Sequence, residues 1–165
     1  LGIYTPLKRL TWLNTLVGAA SGASPPLIGW AAACSGLSVE SWILFFLQFF
    51  WQIPHFLAIA WISRDDYARA GFAMLSVRDE DGDATGTVAV AGVASTILAS
   101  LAPVAVGWAG PGYLIWALAL GGIFQCCAFG FRRRVTEAAA RLLLRASLLY
   151  LPLLLAGLVA AKERL

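Results

Sequence analysis

The sequence predicts an all-α fold: a polytopic bundle of about five membrane-spanning helices, forming a single integral-membrane domain over 1–165. Three observations carry this. Apolar residues make up 60% of the chain and charged residues only 13%, against roughly 45–50% and 25% in soluble domains. Mean hydropathy is +0.78. The few charges cut the chain into apolar runs of span length, with none between Arg9 and Glu40, between Glu40 and Arg64, or between Asp83 and Arg132. This composition excludes a soluble globular enzyme, a disordered chain and a disulfide-stapled secreted domain. A net charge of +3, scattered along the chain, excludes a nucleic-acid binder, which needs a basic face that tracks phosphates.

The first span is expected over 10–33. Thr11, Asn14, Gly18 and Ser21 recur there at helical spacing, and Gly18 with Gly22 makes a small-residue pair that lets helix backbones approach. Pro25-Pro26 removes two backbone donors inside this run, which is tolerated where the backbone faces protein or a water-filled cavity. In the second span, 42–61, Gln48, Gln52 and His55 fall at i, i+4 and i+7 and share one helix face. The long run after Asp83 yields two spans, 85–108 and 113–131, parted by the turn chemistry of Gly110-Pro111-Gly112. Gly122, Cys126 and Gly130 give the fourth span a small-residue stripe for packing. The last span, 142–161, carries only Arg145, near its start, where a long side chain can snorkel to the interface. Cys34, Cys126 and Cys127 have no C-x-x-C spacing and read as small apolar packing residues. The tryptophans fall mostly near span ends, as interfacial belts expect; Trp51 lies mid-span.

Lys and Arg alternate along the connections until the tail: Lys8 and Arg9 at the start, none in 34–41, Arg64, Arg69 and Arg78 in 62–84, none in 109–112, then Arg132, Arg133, Arg134 and Arg141, with Lys162 and Arg164 falling on the outer side. The positive-inside rule therefore places the N-terminal end and the loops 62–84 and 132–141 in the cytoplasm, with the C-terminus outside. The chain starts at Leu1 without a signal-peptide pattern and reads as the C-terminal part of a longer membrane protein.

Polar side chains inside a bilayer are costly, so their clustering marks function. The densest cluster is Trp51-Gln52-Ile53-Pro54-His55-Phe56 followed by Arg64-Asp65-Asp66-Tyr67-Ala68-Arg69. His55 is the only histidine; it either hydrogen-bonds a neighbouring helix or serves a site. The Arg64–Arg69 segment is either a solvated interfacial turn, with Asp65 and Arg69 as an i,i+4 pair, or a ligand site. Carboxylates beside arginines suit Mg²⁺ with diphosphate, because Mg²⁺ takes one or two carboxylates plus phosphate oxygens and Arg clamps phosphate with a planar fork. Asp79-Glu80-Asp81-Gly82-Asp83 mimics a calcium loop but puts Ala84 where that loop needs glycine and Val90 where it needs the bidentate glutamate; it reads as a solvated acidic loop, the alternative being a secondary role near the site's mouth.

These blocks also carry a resemblance. Tyr4-Thr5-Pro6-Leu7-Lys8-Arg9 with Thr11 and Asn14, Pro25-Pro26-Leu27-Ile28-Gly29-Trp30, Trp51-Gln52-Ile53-Pro54-His55-Phe56, and Arg64-Asp65-Asp66-Tyr67-Ala68-Arg69-Ala70-Gly71 resemble the protoheme IX farnesyltransferases. These are the heme O synthase branch of the UbiA-type intramembrane prenyltransferases. The match is dense from Tyr4 to about Leu75 and only a pattern beyond.

The resemblance implies a bundle of about nine spans around a cavity open to lipid, of which this chain looks like spans five to nine. The implied reaction moves the farnesyl group of farnesyl diphosphate to a vinyl group of heme B, with water supplying a hydroxyl, in a bacterial inner membrane. Catalytic roles fall on His55, Arg64, Asp65, Asp66 and Tyr67. Lys8, Arg9, Asn14, Arg64 and Arg69 would bind diphosphate, and Gln48, Trp51, Gln52 and His55 would line the heme and prenyl pocket. Asp65 and Asp66 would hold Mg²⁺. The family's first aspartate-rich motif lies upstream, so this piece alone is expected to be inactive. Where the quinone-type relatives carry an Asp before the R-D-D run, this chain has His55 nearby. Heme A synthase or oxidase-assembly proteins are the implied protein partners. A quinone or chlorophyllide acceptor, and a transporter half or membrane scaffold subunit, are the alternative readings.

Overall fold

The computed structural model describes residues 14–162, so Lys8 and Arg9, two of the expected diphosphate ligands, lie outside the described residues, as does Thr11. Every regular element among the described residues is a helix. It runs through α1 (Asn14–Gly22), α2 (Ser24–Cys34), α3 (Val39–Ile62), the short α4 (Arg64–Arg69) and α5 (Leu75–Arg78), then α6 (Asp83–Ala105), α7 (Pro111–Arg133) and α8 (Glu137–Lys162). Among the described residues four helices are long and apolar enough to cross a membrane: Val39–Ile62, Asp83–Ala105, Pro111–Arg133 and Glu137–Ala161.

Those four form a closed ring, α3 packing on α6, α6 on α7, α7 on α8, and α8 back on α3. Leu47, Leu57, Val93, Phe124, Phe131, Leu143 and Leu154 fill its centre. Glycines set the close approaches. A Cβ on Gly92 would come 3.0 Å from Pro54 Cδ, and one on Gly86 would come 2.8 Å from the Arg132 backbone. Pro54 sits inside α3, and Gly92 of α6 accommodates the ring. Without a hydrophobic drive between helices in lipid, close packing of this kind is what holds a bundle together.

The first expected span differs. Its described part is two helices, α1 and α2, that meet at Ala23, because Pro25 and Pro26 occupy the first turn of α2. At that position the missing N–H groups would have had no partner anyway, so the prolines start a new helix rather than interrupt one. Both helices pack on α3. A Cβ at Gly22 would fall 2.3 Å from the Gln52 amide oxygen, so half of the expected small-residue pair does mark a close approach.

Two further expectations are corrected. The stripe of Gly122, Cys126 and Gly130 is exposed, and Cβ atoms on Gly122 or Gly130 would meet nothing within 4 Å. The packed face of α7 is instead Tyr113, Ala117, Gly121, Phe124, Ala128 and Phe131. Small residues recur at helical spacing on both faces, and the spacing alone does not say which face packs into the ring. Cys34 and Cys126 are likewise exposed and Cys127 half-buried, all free thiols, rather than packing residues of the core.

The bundle's ends are chemically unequal. A Cβ at Gly82 would touch both Trp61 and Val135, which brings the 62–84 segment and the α7–α8 connection to one end. Arg64, Asp65, Asp66, Arg69, Arg132, Arg133 and Arg134 all gather there. At the other end Trp30 meets Trp108 edge to face, 5.8 Å between ring centroids, in the interfacial position where tryptophan is favoured.

Candidate functional site

The polar residues of α3 point to two neighbours. Gln52 is almost fully buried, at 4% exposure. Its amide donates to the Gln48 carbonyl at 3.2 Å, while its oxygen faces Gly22 of α1. His55 and Trp51 turn instead to α8. The Trp51 indole N–H donates to the Ser147 carbonyl at 2.8 Å, and His55 Nδ1 lies 2.8 Å from Ser147 Oγ. The indole and imidazole stack, 4.9 Å apart with planes inclined by 23°. Gln48, Gln52 and His55 therefore share the strip of α3 flanked by α1 on one side and α8 on the other.

Two helical turns beyond His55, α3 ends at Ile62 and the chain bends into α4. Arg64 leaves the bend with its guanidinium carbon 4.6 Å over the Trp61 ring, a cation–π contact. Trp61 in turn meets Phe131 of α7 edge to face. Asp65 and Asp66 are both exposed; Asp66 is ion-paired with Arg69 one turn on. The expected Asp65–Arg69 pair is thus replaced by an i,i+3 pair. Tyr67 is half-buried and its ring lies 6.0 Å from that of Phe72. Gly71 closes the turn with φ +69, a conformation that favours glycine. The Ser76 hydroxyl of α5 then donates to the Ala60 carbonyl at 2.9 Å, tying the segment back to the end of α3.

The acidic segment contributes to the fold. The Asp79 carboxylate accepts the Thr85 backbone N–H at 2.6 Å, so it caps α6 where the N-cap residue, Gly82, has no side chain to do so. Among the described residues no group of three His, Cys, Asp or Glu side chains could hold a metal. The donor set at Asp65 and Asp66 is two carboxylates, one already paired with an arginine. That fits an ion such as Mg²⁺, which completes its shell with phosphate oxygens and water, and does not fit an all-protein metal cage.

A four-helix ring with intramembrane Gln and His on one helix, and an arginine–aspartate turn at that helix's end, has a counterpart among known families. The profile of the UbiA prenyltransferase family matches residues 1–159. The chain belongs to this family. It is 47% identical to the protoheme IX farnesyltransferase of Solibacter usitatus, over 92% of this chain and 52% of that protein. It is 42% identical to the protein of that name from Opitutus terrae, over 96% of this chain and 54% of the other. With the mitochondrial protein of Arabidopsis thaliana the identity is 41%, over 95% of this chain and 36% of the relative. The chain spans about half the length of these two bacterial relatives. A solved structure of digeranylgeranylglyceryl phosphate synthase superimposes with a TM-score of 0.77 at 14% identity, covering 90% of this chain and 53% of that one. This likeness speaks for the fold alone.

As a UbiA-family protein the chain is a multi-pass membrane protein. Its sequence-predicted site residues divide into two groups on one helix path. Trp51, Gln52 and His55 lie mid-span with Gln48, and Arg64, Asp65, Asp66, Tyr67 and Arg69 lie at the charged end. His55 and Arg64 are nine residues apart, about 14 Å along a helix at 1.5 Å per residue. Asn14 opens α1. Ser147, the partner of both Trp51 and His55, has no site role in the sequence reading. The signal for it is slight: with Tyr150 it makes an i,i+3 polar pair on the buried face of α8, which is otherwise Ala140, Leu143, Leu154 and Leu158.

Proposed function

We propose that the full-length protein transfers the farnesyl group of farnesyl diphosphate to a vinyl group of heme B, with water supplying the hydroxyl, giving heme O and diphosphate. The identity of 47% over 92% of this chain to a protoheme IX farnesyltransferase is the observation that carries this reading. The arrangement of charges supports it. Ionisation of an allylic diphosphate needs the leaving charge to be met by preorganised cations. Arg64 is held over Trp61, which leaves its planar fork of donors at the charged end of the bundle. Arg69 is paired with Asp66 at the surface; such a pair contributes about 0.2–1 kcal/mol, little enough for a diphosphate to displace it. Lys8, Arg9 and Asn14 would add donors from the preceding segment.

Mg²⁺, when bound with diphosphate, would neutralise the oxygens of the leaving group, and Asp65 and Asp66 are the carboxylates this chain offers it. The mid-span strip of Gln48, Trp51, Gln52 and His55 would meet the porphyrin and the reactive end of the prenyl chain. The apolar walls of α3 would keep water from the allylic cation until the new bond forms. The charged end would face the cytoplasm of a bacterial inner membrane, where a soluble diphosphate arrives, and the product would pass to heme A synthase or oxidase-assembly proteins.

Purified full-length protein in lipid nanodiscs, given heme B, farnesyl diphosphate and Mg²⁺, is expected to yield a more hydrophobic heme with the mass of heme O. Absence of that product, with a quinone ring prenylated instead, would overturn the assignment of acceptor.

A further inference from the structure

Ser147 stands at the meeting of α8 with the polar strip of α3, and its bonds can be counted. Its hydroxyl lies 2.7 Å from the Leu144 carbonyl, one turn back on the same helix. It also lies 2.8 Å from His55 Nδ1. A hydroxyl has one proton and two lone pairs. A carbonyl can only accept, so the serine proton belongs to Leu144, and Oγ must accept from the imidazole. In the neutral ring that puts the proton on Nδ1 and leaves Nε2 with an open electron pair. No second hydrogen bond to the ring is present among the described residues. The ring is also held in plane by the stacked Trp51 indole, itself anchored to the backbone carbonyl of the same Ser147.

We infer that Ser147 is a positioning residue: it fixes His55 in the Nδ1–H tautomer, so that the imidazole offers Nε2 as an electron-pair donor within the membrane. The pairing of an oriented imidazole with a hydrogen-bond acceptor on its far nitrogen is how proteins set which nitrogen does the chemistry. The device explains why one serine, fully buried on a largely apolar helix face, meets two mid-span aromatic residues at once. It also deepens the heme-farnesylation reading, on which only the kinetic part of its test rests.

The test uses the full-length protein with ¹⁵N-labelled histidine, the His55 resonances being assigned by their loss in His55→Gln. At mildly alkaline pH the parent is expected to show a protonated Nδ1 and an unprotonated Nε2. In Ser147→Ala the carbonyl that anchors Trp51 survives, so Trp51 fluorescence and thermal stability stay close to parent while the ring redistributes toward the Nε2–H tautomer. Turnover in that variant is expected to fall about 10–100-fold. Ser147→Thr, which keeps the hydroxyl, restores the Nδ1–H tautomer and part of the rate. A parent ring protonated at Nε2 overturns the inference, as does a Ser147→Ala protein whose tautomer and turnover stay within twofold of parent. If the parent makes no heme O, the acceptor assignment fails while the nitrogen spectra still decide the role of Ser147.

Discussion

The guanidinium of Arg64 lies 4.6 Å over the indole of Trp61, where the helix carrying Gln48, Gln52 and His55 reaches the charged end. Trp61 is itself buried, at 8% exposure, against Phe131. A flexible cation is thereby set on a rigid floor made by α3 and α7. Arg64→Ala in the full-length protein is expected to lower kcat about 100-fold or more, the scale for losing one preorganised charge-stabilising donor. Arg64→Lys should recover little, because an ammonium lacks the fork. Trp61→Leu should show a smaller loss of rate together with lower thermal stability. Steady-state kinetics with farnesyl diphosphate varied would check all three.

Asp66 separates function from stability. Its pair with Arg69 is exposed on both sides, so Asp66→Asn should shift the melting temperature by no more than a degree or two in detergent. Turnover should nonetheless fall at least tenfold and the Mg²⁺ requirement rise, measured by titrating Mg²⁺ at fixed diphosphate substrate. A variant with normal turnover would remove Asp66 from the diphosphate end.

Asp79 makes the opposite prediction. Its carboxylate caps α6 through the Thr85 N–H, so Asp79→Ala should cost about 0.5–2 kcal/mol of stability. Backbone amides of the first turn of α6 should exchange faster in hydrogen–deuterium exchange. Per folded molecule, the rate should change little.

Gly86 and Gly122 are both glycines in spans, with opposite expectations. A Cβ at Gly86 would lie 2.8 Å from the Arg132 Cα, whereas one at Gly122 would meet nothing within 4 Å. Gly86→Ala must push α6 from α7 and should destabilise by about 1–3 kcal/mol. Gly122→Ala should be neutral or slightly stabilising through helix propensity. Thermal unfolding of the two variants side by side would test the packing directly.

Much of the site was legible in one dimension because it lies on one helix and the turn after it. Gln48, Gln52 and His55 are related by helical spacing, and the Arg64-Asp65-Asp66 run ends a long charge-free stretch; both are local facts. Their partners were not legible. Ser147 is 92 residues from His55, and a lone serine on a largely apolar helix face carries no mark of the helix it faces. The small-residue stripe of α7 shows the same limit from the other side. Gly122, Cys126 and Gly130 have the spacing of an interface yet are exposed, because periodicity names a face without saying what packs on it.

The sequence by itself determined that the chain is a multi-pass helical bundle and which connections carry its charges. Scarcity of charge in lipid and the 20-residue length of a span leave few alternatives. The tertiary structure alone decided that Pro25-Pro26 opens a helix, that Asp79 caps α6, and that Gln52 turns to α1 while His55 and Trp51 turn to Ser147. Each of these depends on which groups meet across the bundle, and in lipid those meetings are set by shape and hydrogen bonding rather than by hydrophobicity.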